Sequence, residues 1–135
     1  MNEKMYQRRR HNKNLLMIYI VLVTKYRKKL FYDRFSDAAK QYIYDICKEN
    51  HWYIKRIETD KDHVHILLQY NPANAVSDIV SAIKQNSTYR LWAKFSYVLQ
   101  KHYWKKKTLW SGGYFAASVG QVSRESVEKY IESQG

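Results

Sequence analysis

Cysteine is nearly absent from this chain. The single thiol, Cys47, excludes an internal disulfide and any cysteine-rich zinc site, and it suits a reducing, cytoplasmic location. Long apolar runs are missing too. The stretch from Leu15 to Val23 falls far short of the roughly 20 residues of a membrane span, so no membrane association is expected. Arg8-Arg9-Arg10 ahead of that run imitates a secretory leader, but no small-residue cleavage site follows, and the basic segment Lys25-Tyr26-Arg27-Lys28-Lys29 comes instead. The chain has neither an internal repeat nor a low-complexity linker, so its 135 residues read as one domain spanning 1–135. Acidic residues are scarce, with 12 Asp+Glu against 24 Lys+Arg, a formal charge of +12.

That imbalance comes with abundant aromatics: 16% of residues, 13 of them Tyr. Cations neutralise phosphates and rings stack on unpaired bases, so the combination points to nucleic acid rather than to a merely basic, soluble surface. The candidate backbone contacts are Lys25, Arg27 and Lys28, then Lys84 and Arg90, then Lys105, Lys106 and Lys107. Residues 96–110 interleave these last cations with Tyr97, Tyr103, Trp104 and Trp110, a pattern suited to single strands.

Periodicity gives the elements. Leu15 to Lys25 is β-branched and apolar on both faces, as in a central strand. From Asp33, a plausible N-cap, apolar residues recur at Phe35, Ala38, Ala39, Tyr42, Ile43, Ile46 and Cys47, which is a helix with one buried face. Trp52 to Glu58 and His63 to Gln69 form a β-hairpin turning at Thr59 to Lys61. Asn71-Pro72-Ala73-Asn74 breaks the sheet before a helix striped by Val76, Ile79, Val80, Ile83, Ser87 and Leu91. Tyr114 to Val119 is a short strand, and Ser123 caps a last helix with Glu125 in its first turn. The order strand, helix, hairpin, helix, strand, helix predicts an α+β sandwich with an antiparallel sheet.

Two stretches carry candidate chemistry. In Asp62-His63-Val64-His65 the histidines alternate along a strand, so both imidazoles project to one face. Such a pair can chelate a divalent cation, with Asp60 or Asp62 fixing an imidazole N–H; it can equally be an ordinary surface strand. On the last helix Tyr130 and Gln134 lie at i and i+4 and share a face. A phenol can attack a phosphodiester and an amide oxygen can ligate a metal, although spacing alone favours a Tyr130 that simply packs on the sheet.

His63-Val64-His65, Leu109-Trp110-Ser111-Gly112-Gly113-Tyr114-Phe115, Ser118-Val119-Gly120, Tyr130-Ile131-Glu132-Ser133-Gln134 and the early Val23-Thr24-Lys25-Tyr26-Arg27 together resemble the single-tyrosine HUH transposases of small prokaryotic insertion sequences. The pieces span nearly the whole chain in family order. The resemblance implies an RRM-like (ferredoxin-like) fold whose C-terminal helix bears the nucleophile. It implies Tyr130 as that nucleophile and a Mg²⁺ or Mn²⁺ ion on His63, His65 and Gln134. By ligand type, two imidazoles suit Mn²⁺ better than Mg²⁺. It further implies cleavage and rejoining of single-stranded DNA through a 5′-phosphotyrosine, recognition of imperfect hairpins at the element ends, and a homodimer with sites shared between chains. Family members often continue in a polar tail beyond the glutamine, whereas this sequence ends at Gly135. The rival readings are a non-catalytic RRM-like binding module, which normally shows an aromatic Gly-Phe-Gly-Phe type strand absent here, and a replication-initiator or relaxase-type HUH nuclease, usually a longer chain. A two-histidine phosphodiesterase would need a second histidine motif that His11, His51 and His102 do not supply.

Overall fold

The computed structural model describes residues 15–135; Arg8-Arg9-Arg10 and His11 lie outside them. Four strands, β1 (Leu16–Val23), β2 (Tyr53–Asp60), β3 (His63–Tyr70) and β4 (Phe115–Ser118), form one antiparallel sheet in the order β2-β3-β1-β4. The helices are α1 (Asp33–Glu49), α2 (Val76–Leu99) and α3 (Arg124–Ser133). This is the expected α+β sandwich, with β1, apolar on both faces, and β3, apolar on the core face, in the middle of the sheet.

The two faces of the sheet are unequal. Ile20, Leu22, Val64, Ile66 and Leu68 point to one side, where the apolar stripes of α1 and α2 close the main core. Each such side chain contributes about 1.5–3 kcal/mol when fully buried. Among the described residues the other face is covered by α3, through Val127 and Ile131 packed on Val21 and Val23. The residues of β3 that alternate onto this thinner side are His63 and His65, opposite Val23 and Val21 in the register.

Several boundaries differ from the sequence reading. The turn between β2 and β3 is the two residues Lys61 and Asp62, because pairing runs on to Asp60 opposite His63. It is pinned from outside: the Leu30 and Phe31 amides donate to the Lys61 carbonyl at 3.0 and 3.1 Å, and the Thr24 amide to the Asp62 carbonyl at 2.9 Å. Asp33 makes no cap; it begins α1 with φ 46°, and the Tyr32 carbonyl accepts from the Phe35 and Ser36 amides instead. Asp tolerates that left-handed backbone better than most residues. Helix α2 runs past the expected connection to Leu99, kinking at Phe95. Ser123 does cap α3, in a reciprocal capping box with Ser126.

Candidate active site

The β2–β3 turn fixes the first half of the site. Asp62, buried by its pinned backbone, accepts from His63 Nδ1 at 2.8 Å through one carboxylate oxygen and from Arg27 Nε at 3.0 Å through the other. Burial acts to raise this carboxyl, but the bonds and charges of His63 and Arg27 outweigh it and hold Asp62 below the usual carboxylate range. Arg27 reaches Asp62 from a 3-10 turn over Lys25–Arg27, in which Tyr26 and Arg27 both adopt left-handed backbone, φ 61° and 53°.

The second imidazole is oriented differently. His65 Nδ1 is hydrogen-bonded to the hydroxyl of Tyr19 on β1, a residue the sequence reading did not single out. Burial, and then the charge of His63, pushes His65 below its ordinary value, so it stays neutral. Burial raises the Tyr19 phenol, which therefore stays protonated. The two rings lie 4.6 Å apart at 77°. Both Nδ1 atoms are hydrogen-bonded, and in the neutral tautomer that carries its proton there each ring would offer Nε2 to a ligand, which is how oriented metal-binding histidines are commonly arranged. They line a cavity of about 500 Å³ between the sheet and one flank of α3, along with Tyr19, Asp60, Arg124 and Glu128. No third His, Cys, Asp or Glu converges on the pair among the described residues. A cation held here therefore needs other oxygen donors.

Tyr130 and Gln134 are close by in the chain but are not directed into this cavity. Tyr130 faces the opposite flank of α3, its ring 5.9 Å from Phe115 and its oxygen 3.5 Å from where a Cβ on Gly113 would stand. Its hydroxyl is buried, and neither it nor the Ser111 hydroxyl has a hydrogen-bond partner among the described residues. Burial pushes the phenol up, partly offset by the neighbouring Ser111. The Gln134 amide nitrogen donates to the Ser133 hydroxyl at 3.0 Å. The end of α3 nonetheless meets the Arg27 arm of the site, since a Cβ on Gly135 would lie 3.1 Å from Arg27 Cδ.

The candidate DNA-contacting cations divide into two groups. Lys84 donates to the Ser111 and Gly113 carbonyls at 2.8 and 3.1 Å, clamping the loop that Tyr130 rests on, and burial lowers its pKa. Arg90 donates to Glu49 at 3.0 Å and ties α2 to α1, while Arg27 is held by Asp62. Lys105, Lys106 and Lys107 are exposed, and Lys25 and Lys28 are half-buried. Of the aromatics from 96 to 110, Tyr97 and Trp104 are exposed. Tyr103 and Trp110 are not: Tyr103 donates to the Lys25 carbonyl at 2.8 Å and Trp110 to Ser87 at 3.0 Å from within the core.

Known proteins decide the family. The sequence pattern described as "Transposase IS200 like" matches residues 12–134. The chain belongs to the IS200-like transposase family. This transposase is 31% identical over 119 residues to the ISDra2 transposase TnpA of Deinococcus radiodurans, covering 88% of this chain and 84% of that protein. It is 28% identical to the transposase of insertion sequence element IS200 from Salmonella typhimurium, over 86% of this chain and 74% of the relative. A solved putative transposase from Deinococcus radiodurans R1 superimposes with a TM-score of 0.82 at 30% identity, covering 89% of this chain and 91% of that one. A REP-associated tyrosine transposase bound to a REP hairpin shares the fold at a TM-score of 0.54 and 11% identity, over 87% of this chain and 62% of that one.

Proposed function

We propose that this transposase cuts and rejoins single-stranded DNA at imperfect hairpins with Tyr130 as nucleophile and with a divalent cation, Mn²⁺ or Mg²⁺, on His63, His65 and Gln134. The observation that supports it is the pair of oriented imidazoles, each hydrogen-bonded through Nδ1 and both lining one cavity. The cation would polarise the scissile phosphate and stabilise the departing 3′ oxygen. Tyr130 Oη attacks phosphorus and its proton leaves with the solvent. The P–O3′ bond breaks, the departing 3′ oxygen takes a proton from the solvent to become a free 3′ hydroxyl, and the 5′ phosphate stays on the tyrosine. Attack by another 3′ hydroxyl on that phosphotyrosine reseals the strand and restores the phenol. Arg27 and Asp62 hold the His63 ring, and Arg124 at the start of α3 offers a cation to a phosphate in the cavity.

The reading includes a homodimer with shared sites. Within one chain Tyr130 and the histidines lie on opposite flanks of α3. A helix that follows Gly120 and is buried only through Val127 and Ile131 can exchange onto a second subunit, carrying Gln134 with Tyr130. The decisive experiment mixes a His63→Ala/His65→Ala chain with a Tyr130→Phe chain and looks for protein-linked single-stranded DNA on a denaturing gel. Shared sites restore cleavage in the heterodimer to at most about half, because only one of two symmetric sites is whole. Verified heterodimers that stay inactive overturn the sharing, and wild-type cleavage that survives exhaustive chelation overturns the metal.

A further inference from the structure

The left-handed pair Tyr26–Arg27 sends two adjacent side chains to different places, and only one of them is explained by the site above. Arg27 turns inward to Asp62. Tyr26 is held outward, 65% exposed, by a backbone that non-glycine residues seldom adopt and that is fixed by the Lys25 amide on the Leu109 carbonyl at 2.8 Å and the Arg27 amide on the Thr24 carbonyl at 2.9 Å. A large ring held out to solvent by such a frame is a candidate ligand contact. Trp104, 73% exposed, lines the same cavity of about 480 Å³ as Tyr26, together with Lys25, Lys105, Lys106 and the buried Tyr103. The volume lies in the range of pockets that hold small ligands. Lys25 Nζ sits 5.4 Å from the centroid of the Tyr26 ring, so one cation and one ring are already paired there.

Two exposed rings and three lysines lining one pocket match a flat aromatic ligand carrying negative charge. The geometry points to a binding site for one unpaired nucleotide of the DNA strand, its base stacked against Trp104 and Tyr26 and its flanking phosphates on Lys25, Lys105 and Lys106. This inference rests on the single-strand reading above and gives it a location: the pocket shares the Lys25–Arg27 turn with the Arg27–Asp62–His63 chain. Duplex DNA, whose bases are already stacked, does not fill it.

The test measures binding of a short single-stranded oligonucleotide by fluorescence anisotropy for wild type, Trp104→Ala and Trp104→Phe. A melting curve for each variant confirms the fold, and Trp104 is exposed enough that its loss leaves the core intact. Trp104→Ala weakens binding by about 5- to 100-fold and Trp104→Phe recovers most of it, as expected for the loss and return of one stacking face. On a strand of the same length with abasic positions, wild type and Trp104→Ala bind alike, because phosphates remain but nothing stacks. Equal binding of wild type and Trp104→Ala to the intact strand overturns the pocket while leaving the single-strand reading standing. A difference that persists on the abasic strand also overturns it, since the ring would then act by something other than stacking. A wild-type protein that does not bind single strands at all overturns the single-strand reading and the pocket with it.

Discussion

Tyr130 and the histidine pair make different demands, and single substitutions separate them. Tyr130→Phe removes an oxygen that has no hydrogen-bond partner, so melting temperature and DNA binding are expected to stay near wild type while the covalent adduct disappears. A wild-type yield of adduct would remove Tyr130 from the chemistry. Tyr19 acts through another residue: its hydroxyl is hydrogen-bonded to His65 Nδ1, and where that nitrogen carries the proton the Nε2 lone pair is left for a cation. Tyr19→Phe is therefore expected to weaken Mn²⁺ affinity by about 10- to 100-fold, the usual range for losing such an orienting partner. Titration of free Mn²⁺ by paramagnetic resonance reads this without any turnover, and an unchanged affinity would leave Tyr19 as packing only. The histidines were legible because strand alternation forces them onto one face. Tyr19 was not, because its partner lies 46 residues away and they meet only through the non-local antiparallel pairing of β1 with β3.

At the level of elements, the contrast between the two faces of the sheet governs behaviour. The stripes of α1 and α2 were readable from their 3.6-residue period, and the buried thiol of Cys47 shows how closed that side is: burial pushes it up to about 12. Cys47 is accordingly expected to resist iodoacetamide at neutral pH in the folded protein and to react only after denaturation, checked by intact mass. Rapid native labelling would mean that α1 opens readily. Helix α3 has a much smaller buried face, so its amides are expected to exchange faster than those of α2 up to Leu91, with Ser123→Ala accelerating them further by removing a cap of about 1 kcal/mol. Hydrogen exchange read by peptide decides it; equal protection of α2 and α3 would mean that α3 is no more detachable than the core. What the sequence could not divide was residues 96–110. Composition makes Tyr103, Trp104 and Trp110 look alike, whereas burial of the β1 end draws Tyr103 and Trp110 inward and leaves Trp104 out.

For the whole molecule the net charge of +12 sets the long-range attraction to DNA, but the internal bonds determine which cations can release counterions. Lys84 and Arg90 donate to protein oxygens and have little to give to a phosphate without abandoning the loop at Ser111 or the contact between α1 and α2. Lys105, Lys106 and Lys107 are exposed beside Trp104, so changing all three to Ala is expected to reduce the slope of log affinity against log salt by about 2, from roughly 0.7 per phosphate contact on a single strand. Arg90→Gln is expected to leave that slope unchanged and to lower thermal stability slightly instead, as for one exposed ion pair of up to about 1 kcal/mol. Affinities for one oligonucleotide across a salt series distinguish the two cases, because a lysine on a phosphate changes the slope whereas a loosened fold lowers the whole line in parallel. A triple variant whose line merely shifts, with its slope intact, would show that the 105–107 cluster supports the pocket beside it rather than the strand, and would return the phosphate contacts to Lys25 and Lys28.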